Sequence, residues 1–337
     1  METSLKDIAT RLHLSKTTVS WVLSGQGDSK GISSETQKRV LDCASELSYQ
    51  PNLLARSLNT GKSKTLGLIL PSISDSFYSE VAYTIESEAK KAGYSLMISS
   101  SNSEIAQENE MIRLFQSRKV DGTIIAPTKL SRREISRLID DKRPLVLFDR
   151  YFPDLKANYV IIDNENAAYR LTTRLIDRGY RKIAIITTNP HLLTMDMRRE
   201  GYVNAMSDAQ LPIDSQLYGE VPYVNYRENI VAVMDRIFND IPDVDAFFFT
   251  THILAIEGFK YLNRRGFSLN DGSIGLSSMH SNDLFRIVAP GIDYAEFPVK
   301  EMGENIVSIL LQQIKACQDG KNFPQHKVVL PCRMHFR

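Results

Sequence analysis

Cysteine and tryptophan are scarce in this sequence, which has three cysteines and one tryptophan in 337 residues. Cys43, Cys317 and Cys332 are odd in number, far apart and without a CxxC pair. This pattern indicates neither a disulfide framework nor a zinc site, so we expect no metal and no other cofactor. A reducing cytoplasm is the expected location.

Long apolar runs are also absent. None approaches the roughly 20 residues that span a bilayer, and the N-terminus lacks a signal-peptide pattern. We therefore expect neither a membrane partner nor an exported binding protein. Because the formal net charge is only +1, any affinity for DNA must be local rather than a property of the whole chain.

Motifs of enzymes are missing as well. The sequence contains no GxGxxG after the first strand, no Walker loop and no HExxH. Among six scattered histidines, His252 follows a predicted strand and should face a cleft, but no partner that would orient it as a base is evident. A sugar or nucleotide enzyme stays open as an alternative, and loss of turnover in His252→Ala would support it.

The most informative stretch runs from Leu5 to Leu23, LKDIATRLHLSKTTVSWVL, and predicts two short helices with a turn at Leu14 and Ser15. The expected inward positions are Ile8, Ala9 and Leu12 in the first helix and Val19, Val22 and Leu23 in the second. Ser15 can cap the second helix. This leaves the N-terminal half of that helix exposed to base edges and phosphates, through Lys16, Thr17, Thr18, Ser20 and Trp21.

A third helix should close this small core. Its N-cap is Ser33, and its expected buried face consists of Val40, Leu41, Ala44 and Leu47. From Met1 to Lys62 there are eight basic and six acidic residues. Such a modest surplus favours a dimer that combines two DNA-binding modules.

From Thr65 onward, strands and helices alternate, which predicts parallel sheets joined by crossover helices. The first series has strands at 65–70, 95–100, 122–127, 144–149 and 158–163, with helices near 77–93, 105–118 and 131–141. The second has strands at 182–187, 246–251 and 273–278, with helices at 165–178, 197–209, 226–239 and 253–265. Two series predict two doubly wound lobes.

The strings SKTTVSWVLSGQG and ISSETQKRVLDCASELSYQPNLLARSLNTGKSKTLGLILP resemble the LacI/GalR family of bacterial transcription regulators nearly position for position. The resemblance continues through most of the chain. It implies an all-α helix-turn-helix domain over 1–50, a hinge helix and linker over 51–64, and an α/β sensor over 65–337 similar to periplasmic binding proteins. Lobe 1 would comprise about 65–162 and 292–321, and lobe 2 about 163–291 and 322–337.

The resemblance also assigns DNA contacts. Lys16 and Thr17 occupy the variable specificity positions, whereas Thr18, Ser20 and Ser24 fit backbone-positioning roles. Relatives usually carry arginine where this chain has Trp21. The indole is suited to contact with a thymine methyl group or a sugar of the DNA; the alternative is that it packs under the hinge. In the hinge helix, the family inserts a leucine into the minor groove. The corresponding residues are Leu58 as the wedge, Ala55 close to the groove and Arg56 on phosphate.

Ligands of open α/β sheets bind outside the carboxyl ends of the strands. On the matching loops, the family implies effector contacts from Phe77, Tyr78, Asp149 and Arg198. Asp163 and Asn164 lie where the chain crosses between the lobes, and they are either structural helix caps or ligands of the effector. The far lobe departs from the family, because the chain has Thr250-Thr251-His252 for AND and Ser277 for the usual acidic residue. A cleft without that carboxylate beside Arg198 would suit a sugar acid or sugar phosphate.

Together these features predict a cytoplasmic, homodimeric, allosteric regulator, most simply a repressor of carbohydrate-related genes. Its partners would be a near-palindromic double-stranded operator and a small carbohydrate-derived effector bound between the lobes. An inducer and a corepressor would use the same cleft. The alternative from another class is a metabolite sensor without a DNA role, in which Leu58→Ala and Lys16→Ala would leave all activity intact.

Overall fold

The structure is a computed structural model that describes residues 4–49, 62–189, 193–223, 225–281 and 285–337. Contacts divide the chain into two compact units, Met1–Ser63 and Lys64–Arg337. The division falls at the end of the predicted linker. No helix in the described ranges is both long and apolar enough to cross a membrane.

The first unit is a three-helix module. Its helices are α1 (Leu5–Leu12), α2 (Lys16–Leu23) and α3 (Ser34–Glu46), with a 3-10 turn at Asp28–Lys30. Both predicted serine caps are confirmed, because Ser15 Oγ accepts the backbone N–H of Thr18 at 3.0 Å and Ser33 Oγ accepts that of Thr36 at 3.3 Å.

The core of this unit differs from the prediction at one position. The buried side chains are Ile8, Ala9, Val19, Val22, Val40, Cys43 and Ala44. Leu41 is 53% exposed, so its predicted place in the core is wrong. Positions 40, 43, 44 and 47 follow one helical face, and a residue one step beyond 40 is rotated about 100° away from it. Cys43 takes the place expected for Leu41.

The second unit begins with the first predicted strand–helix series. Its strands are β1 (Thr65–Leu70), β2 (Ser95–Ser100), β3 (Gly122–Ile125), β4 (Leu145–Phe148) and β5 (Asn158–Ile162). The helices between them are α4 (Ser76–Lys91), α5 (Ile105–Ser117) and α6 (Arg132–Asp140). Every predicted strand of this series is present; β1 and β2 have the predicted bounds, whereas β3, β4 and β5 end one or two residues earlier than predicted.

The second series is α7 (Asn164–Asp177), β6 (Ile183–Asn189), α8 (Leu193–Asp208), β7 (Tyr218–Pro222), α9 (Tyr226–Asp240), β8 (Ala246–Phe249), α10 (His252–Arg264) and β9 (Gly275–Met279). A 3-10 turn, Ser215–Leu217, precedes β7. The chain ends with α11 (Phe285–Val288), β10 (Asp293–Glu296), α12 (Val299–Gln318), β11 (Lys327–Leu330) and β12 (Arg333–His335). Strands β7, β10 and β12 were not predicted, since they are short and lie near or at the edges of a sheet.

Two six-stranded sheets organise this unit. The lobe 1 sheet has the order β11-β5-β4-β3-β1-β2, and its strand pairs are parallel. The lobe 2 sheet has the order β12-β10-β9-β8-β6-β7, in which only the terminal strand β12 is antiparallel. Both strand orders reverse next to the first strand of the series, which places a switch point in each lobe.

The expected lobe boundaries need correction in the last 45 residues. The segment 292–321 was expected in lobe 1, but its first part forms β10, which pairs with β9 in the lobe 2 sheet, Tyr294 opposite Ser278. Strand β11 was expected in lobe 2, but it pairs with β5 in the lobe 1 sheet, Val328 opposite Val160. The chain therefore passes between the lobes before α12 and again before β12. The local hydrophobic pattern of a short strand does not indicate which of two sheets the strand joins.

Helices α7 and α8 pack unusually closely. A Cβ atom on Gly201 of α8 would lie 2.1 Å from the carbonyl oxygen of Glu165 and 2.8 Å from the backbone nitrogen of Tyr169, both in α7. Only glycine allows this approach of two backbones. The contact fixes the N-terminal half of α8, which carries Arg198.

Candidate functional site

The first candidate site is the exposed surface of α2. Lys16, Thr17 and Ser20 are exposed there, as predicted from the capped turn. Thr18 is half-buried, and its hydroxyl lies 2.8 Å from that of Ser15, so it also belongs to the cap. With a basic and two hydroxyl side chains near its N-terminus, α2 can meet phosphates and base edges.

Trp21 lies in the C-terminal half of α2, and Ser24 is the C-cap of that helix. The indole of Trp21 is half-buried, and Lys30 Nζ lies 5.3 Å from the ring centroid. Ser24 Oγ donates to the carbonyl oxygen of Trp21 at 3.1 Å, which gives a hydrogen-bond partner to one of the last backbone carbonyl groups of α2. The predicted hinge contacts of Ala55, Arg56 and Leu58 lie outside the described residues.

The second candidate site is a cavity of about 260 Å³ between the two lobes of the second unit, at the carboxyl ends of their strands. Five of the six residues expected to contact an effector line it: Phe77, Tyr78, Asp149, Arg198 and His252. Ser277 does not reach the cavity. It lies inside β9, wholly buried, and its hydroxyl has no partner among the described residues.

On the lobe 1 wall, Tyr78 and Asp149 form a buried pair. The Tyr78 hydroxyl donates to Asp149 Oδ2 at 2.6 Å. Burial raises the pKa of Tyr78 well above its ordinary value, and the Asp149 charge raises it further against the effect of Arg150. The phenol therefore stays a donor. Asp149 has a φ of 59°, a left-handed conformation that is uncommon for a non-glycine residue and marks local strain.

Arg150 follows Asp149 into the same wall. Its Nε lies 3.5 Å from Asp149 Oδ2, and its side chain is 13% exposed. Burial lowers the pKa of Arg150, but Tyr78 and Asp149 outweigh that effect, and the net pKa is raised. The guanidinium thus has a carboxylate partner. Arg150 was not predicted from the sequence, although a charged residue close after a buried strand was a usable signal.

Arg198, on α8 in lobe 2, has a different environment. Its side chain is 3% exposed. Nε donates to Asn164 Oδ1 at 2.7 Å and Nη1 donates to the Thr250 carbonyl oxygen at 2.6 Å. Both acceptors are neutral, and burial lowers the pKa of Arg198. Asn164 is thus a positioning partner of Arg198, whereas Asp163 caps α7 by accepting the backbone N–H of Asn166 at 3.3 Å.

A contact between the lobes closes one side of the cavity. His252 Nε2 of lobe 2 lies 3.5 Å from Asp75 Oδ1 and 3.3 Å from Ser76 Oγ, both at the start of α4 in lobe 1. Burial lowers the pKa of His252 against the opposing effect of Asp75, and burial also raises the pKa of Asp75. Because the carboxylate and the hydroxyl approach the same ring nitrogen, this is not a Ser-His-Asp relay, which uses both nitrogens.

His280, directly after β9, also lines the cavity and was missed by sequence analysis. It is 5% exposed, and neither ring nitrogen has a hydrogen-bond partner among the described residues. The ring stacks on Phe297 with centroids 4.6 Å apart and meets Phe77 edge-on at 5.6 Å. Burial lowers its pKa to about 3. Its φ of 65° is again left-handed.

Models of two protein families match this chain. One, described as bacterial regulatory proteins of the lacI family, matches residues 4–52. The other, described as periplasmic binding proteins and sugar binding domain of the LacI family, matches residues 63–330. The ribose operon repressor of Haemophilus influenzae is 27% identical over 312 residues, which make up 93% of this chain and 92% of that protein.

Solved structures agree on the architecture. A complex of the transcriptional regulator CelR with cellobiose has a TM-score of 0.73 at 21% identity and covers 100% of this chain and 99% of its own. The Cra regulator of Pseudomonas putida, solved with fructose 1-phosphate, has a TM-score of 0.71 at 22% identity and covers 81% of this chain and 98% of its own. At such identities these structures establish the fold alone.

The curated relatives are named as transcriptional regulators and repressors rather than as enzymes, which removes support from the enzymatic alternative. The two family models together account for the helix-turn-helix, the two-lobed sensor and the order in which they occur. The chain belongs to the LacI family of bacterial regulatory proteins, DNA-binding transcription regulators in which a helix-turn-helix is joined to a sensor domain of the periplasmic-binding type.

Proposed function

We propose that this chain is a cytoplasmic, homodimeric repressor of carbohydrate-related genes that binds a near-palindromic operator through α2. The observation that carries the proposal is the exposed N-terminal face of α2, with Lys16, Thr17 and Ser20 available beyond a capped turn. In a helix-turn-helix, these positions enter the major groove. Two such modules in one dimer read two half-sites, and so the operator mirrors the two-fold symmetry of the protein.

The homodimer is supported by large apolar side chains exposed on both lobes. Tyr83 on α4 in lobe 1 is 74% exposed, and Ile287 on α11 in lobe 2 is 77% exposed. Exposed apolar side chains on both lobes fit an isologous contact that runs along the whole sensor. Light scattering at micromolar concentration should give twice the chain mass of 38.2 kDa.

We further propose that a small carbohydrate-derived effector binds in the cavity between the lobes, with contacts from Phe77, Tyr78, Asp149, Arg198 and His252. The support is the convergence of these side chains on one buried cavity at the switch points of two sheets. A coupling of about 1–3 kcal/mol between effector and operator would change DNA affinity by several-fold to about a hundredfold. Effector binding between the lobes would bias their relative angle and so control the hinge segment.

The experiment that tests the DNA role uses sheared genomic DNA, which requires no guess of the operator. Fragments retained by the full chain are sequenced, and we expect enrichment of a near-palindrome with a flexible central step. Lys16→Ala and Thr17→Ala should change or abolish the enriched sequence. Lys300→Ala removes the same charge from a side chain that is 86% exposed in the other unit, and it should leave enrichment unchanged. Equal retention of all fragments by every variant would refute the proposal.

A further inference from the structure

Trp21 lies on the face of α2 that is expected to enter the major groove. It follows Thr17 by four residues, so the two side chains lie on the same side of the helix. One turn separates them by about 6 Å along the helix axis. Because the N-terminal residues of a recognition helix contact the base edges, a side chain one turn further along is placed toward the sugar–phosphate backbone that borders the groove.

The side chain of Lys30 lies over the indole of Trp21. Its Nζ is 5.3 Å from the ring centroid, within the range of a cation–π contact. Lys30 is exposed and forms no ion pair within residues 4–49. Asp28, the acidic residue nearest to it in sequence, instead accepts a hydrogen bond from Gln37 Nε2 at 2.8 Å. The ammonium group is therefore an uncompensated positive charge held beside α2.

The backbone around Lys30 fixes this position. Lys30 ends the 3-10 turn, and its N–H donates to the carbonyl oxygen of Gln26 at 3.1 Å. The N–H of Gln26 donates to the carbonyl oxygen of Trp21 at 2.8 Å, which ties the turn to the end of α2. On the other side, a Cβ atom on Gly27 would lie 2.3 Å from Gln37 Cδ, so the turn packs directly on α3. The turn is held between two helices of the same module.

Two kinds of hydrogen-bond donor are unused at this place. The indole N–H of Trp21 and the ammonium group of Lys30 donate to no acceptor among the described residues. An indole offers one donor, and an ammonium group offers three donors and no acceptor. A phosphate of the DNA backbone carries one negative charge, and its oxygens accept hydrogen bonds from such groups. The pair therefore matches a phosphate both in charge and in hydrogen bonding.

We propose that Trp21 and Lys30 form a clamp for one backbone phosphate in each half-site of the operator. The indole supports the ammonium group, and both side chains donate to the phosphate. The inference rests on the proposed role of α2 in DNA binding. Because a phosphate contact carries no base information, the clamp sets the register of α2 in the groove, while Lys16, Thr17 and Ser20 read the sequence. This role differs from the thymine contact and from the packing under the hinge that were predicted for Trp21.

The first test examines the pair without DNA. Trp21 is the only tryptophan of the chain, so the tryptophan fluorescence reports this position alone. Iodide is attracted to a cation, whereas acrylamide is neutral. A charge about 5 Å from the ring should raise the local iodide concentration about twofold at moderate ionic strength. We therefore expect Lys30→Gln to lower the ratio of iodide to acrylamide quenching about twofold.

Arg11→Gln is the matched control, because it removes the same charge from the same module at a side chain that is paired with Glu46 at 2.7 Å. It should leave the quenching ratio unchanged. An unchanged ratio in Lys30→Gln would show that the ammonium group does not lie over the indole, and it would overturn the proposal.

The second test measures binding of the full chain to two short labelled duplexes by fluorescence anisotropy. One carries the operator recovered by fragment enrichment, and the other carries the same bases in scrambled order. Between about 50 and 200 mM salt, the logarithm of the association constant falls with the logarithm of the salt concentration by about 0.9 for each phosphate contact. Lys30→Gln should reduce this slope by about 1.8 in a dimer of two modules and should weaken binding to both duplexes by the same factor. Arg11→Gln should retain the slope of the wild type.

Substitutions of Trp21 separate a phosphate clamp from base readout. Trp21→Leu should weaken binding to both duplexes alike. Adding Lys30→Gln to it should change the slope less than Lys30→Gln does in the wild type, because the ammonium group has already lost its support. Trp21→Phe keeps a ring with a weaker cation–π contact and should bind with intermediate affinity. If Trp21→Leu weakens binding to the operator duplex alone, the indole contacts a base edge and the clamp is wrong.

Failure of this inference can be told apart from failure of the proposed function. If the wild type enriches an operator while Lys30→Gln leaves the salt slope unchanged, the clamp is refuted and the regulatory function stands. If the wild type enriches no sequence, the proposed function fails, and the clamp, which rests on it, fails with it.

Discussion

Replacing His280 with asparagine should make the sensor less sensitive to acid. Burial lowers the pKa of His280 from 6.5 to about 3 in the folded protein. Between these values the unfolded chain binds a proton that the folded chain does not, so the free energy of unfolding falls as the pH falls. The contribution of His280 is fully present above about pH 6.5 and is lost progressively toward pH 3.

The magnitude follows from the size of the shift. One pKa unit corresponds to about 1.4 kcal/mol. Between pH 7.5 and pH 5.0, the wild type should therefore lose about 2 kcal/mol of unfolding free energy that His280→Asn does not lose. Asparagine suits the test because it does not titrate and tolerates the left-handed backbone at this position, where φ is 65°. His252 stays in both proteins, so its own lowered pKa acts on both.

The assay is urea unfolding of the full chain at the two pH values, followed by circular dichroism. His13→Asn is a matched control, because His13 is an exposed histidine with a φ of 54° in the other unit. It should retain the pH dependence of the wild type. A second variant, His280→Phe, preserves the stack on Phe297 and should behave like His280→Asn. If wild type and His280→Asn lose the same free energy between pH 7.5 and 5.0, His280 is not buried as a neutral ring and the reasoning is refuted.

Two further substitutions test the framework of the cleft. Tyr78→Phe should lower the free energy of unfolding by about 2 kcal/mol, because it leaves the buried Asp149 without its 2.6 Å hydrogen bond; Tyr83→Phe, at a side chain 74% exposed, should change it by less than about 0.5 kcal/mol. Equal effects in urea unfolding would contradict the buried pair. Gly201→Ala should cost about 3 kcal/mol, since its Cβ would lie 2.1 Å from a backbone oxygen of α7. Gly291→Ala, whose Cβ would meet its nearest atom at 3.8 Å, should be tolerated, and an equally tolerated Gly201→Ala would rule out the close helix contact.

Local patterns were sufficient for much of this protein. The helix-turn-helix could be predicted because its determinants lie close together in sequence: a serine cap at Ser15, a small residue at Ala9 and apolar residues at helical spacing. Strands β1, β3, β4 and β5 of lobe 1 could be predicted because parallel strands buried on both faces are continuous apolar runs. Loops that follow such strands meet at one edge of a sheet. The expectation that Tyr78, Asp149 and Arg198 lie near one another came from the resemblance to the LacI/GalR family, which matches them to effector contacts on such loops.

Tertiary structure alone decided the rest. The sheet joined by β10 and by β11 depends on the path of the chain between the lobes, which no local pattern encodes. Ser277 and His280 lie three residues apart, yet one is buried inside its strand and the other reaches the cavity. The charge balance of the cleft likewise required distances, because sequence proximity pairs Arg150 with Asp149, while only the fold places Arg198 among neutral acceptors. Sequence patterns act over a few residues, whereas burial and charge pairing depend on groups that the fold brings together from distant parts of the chain.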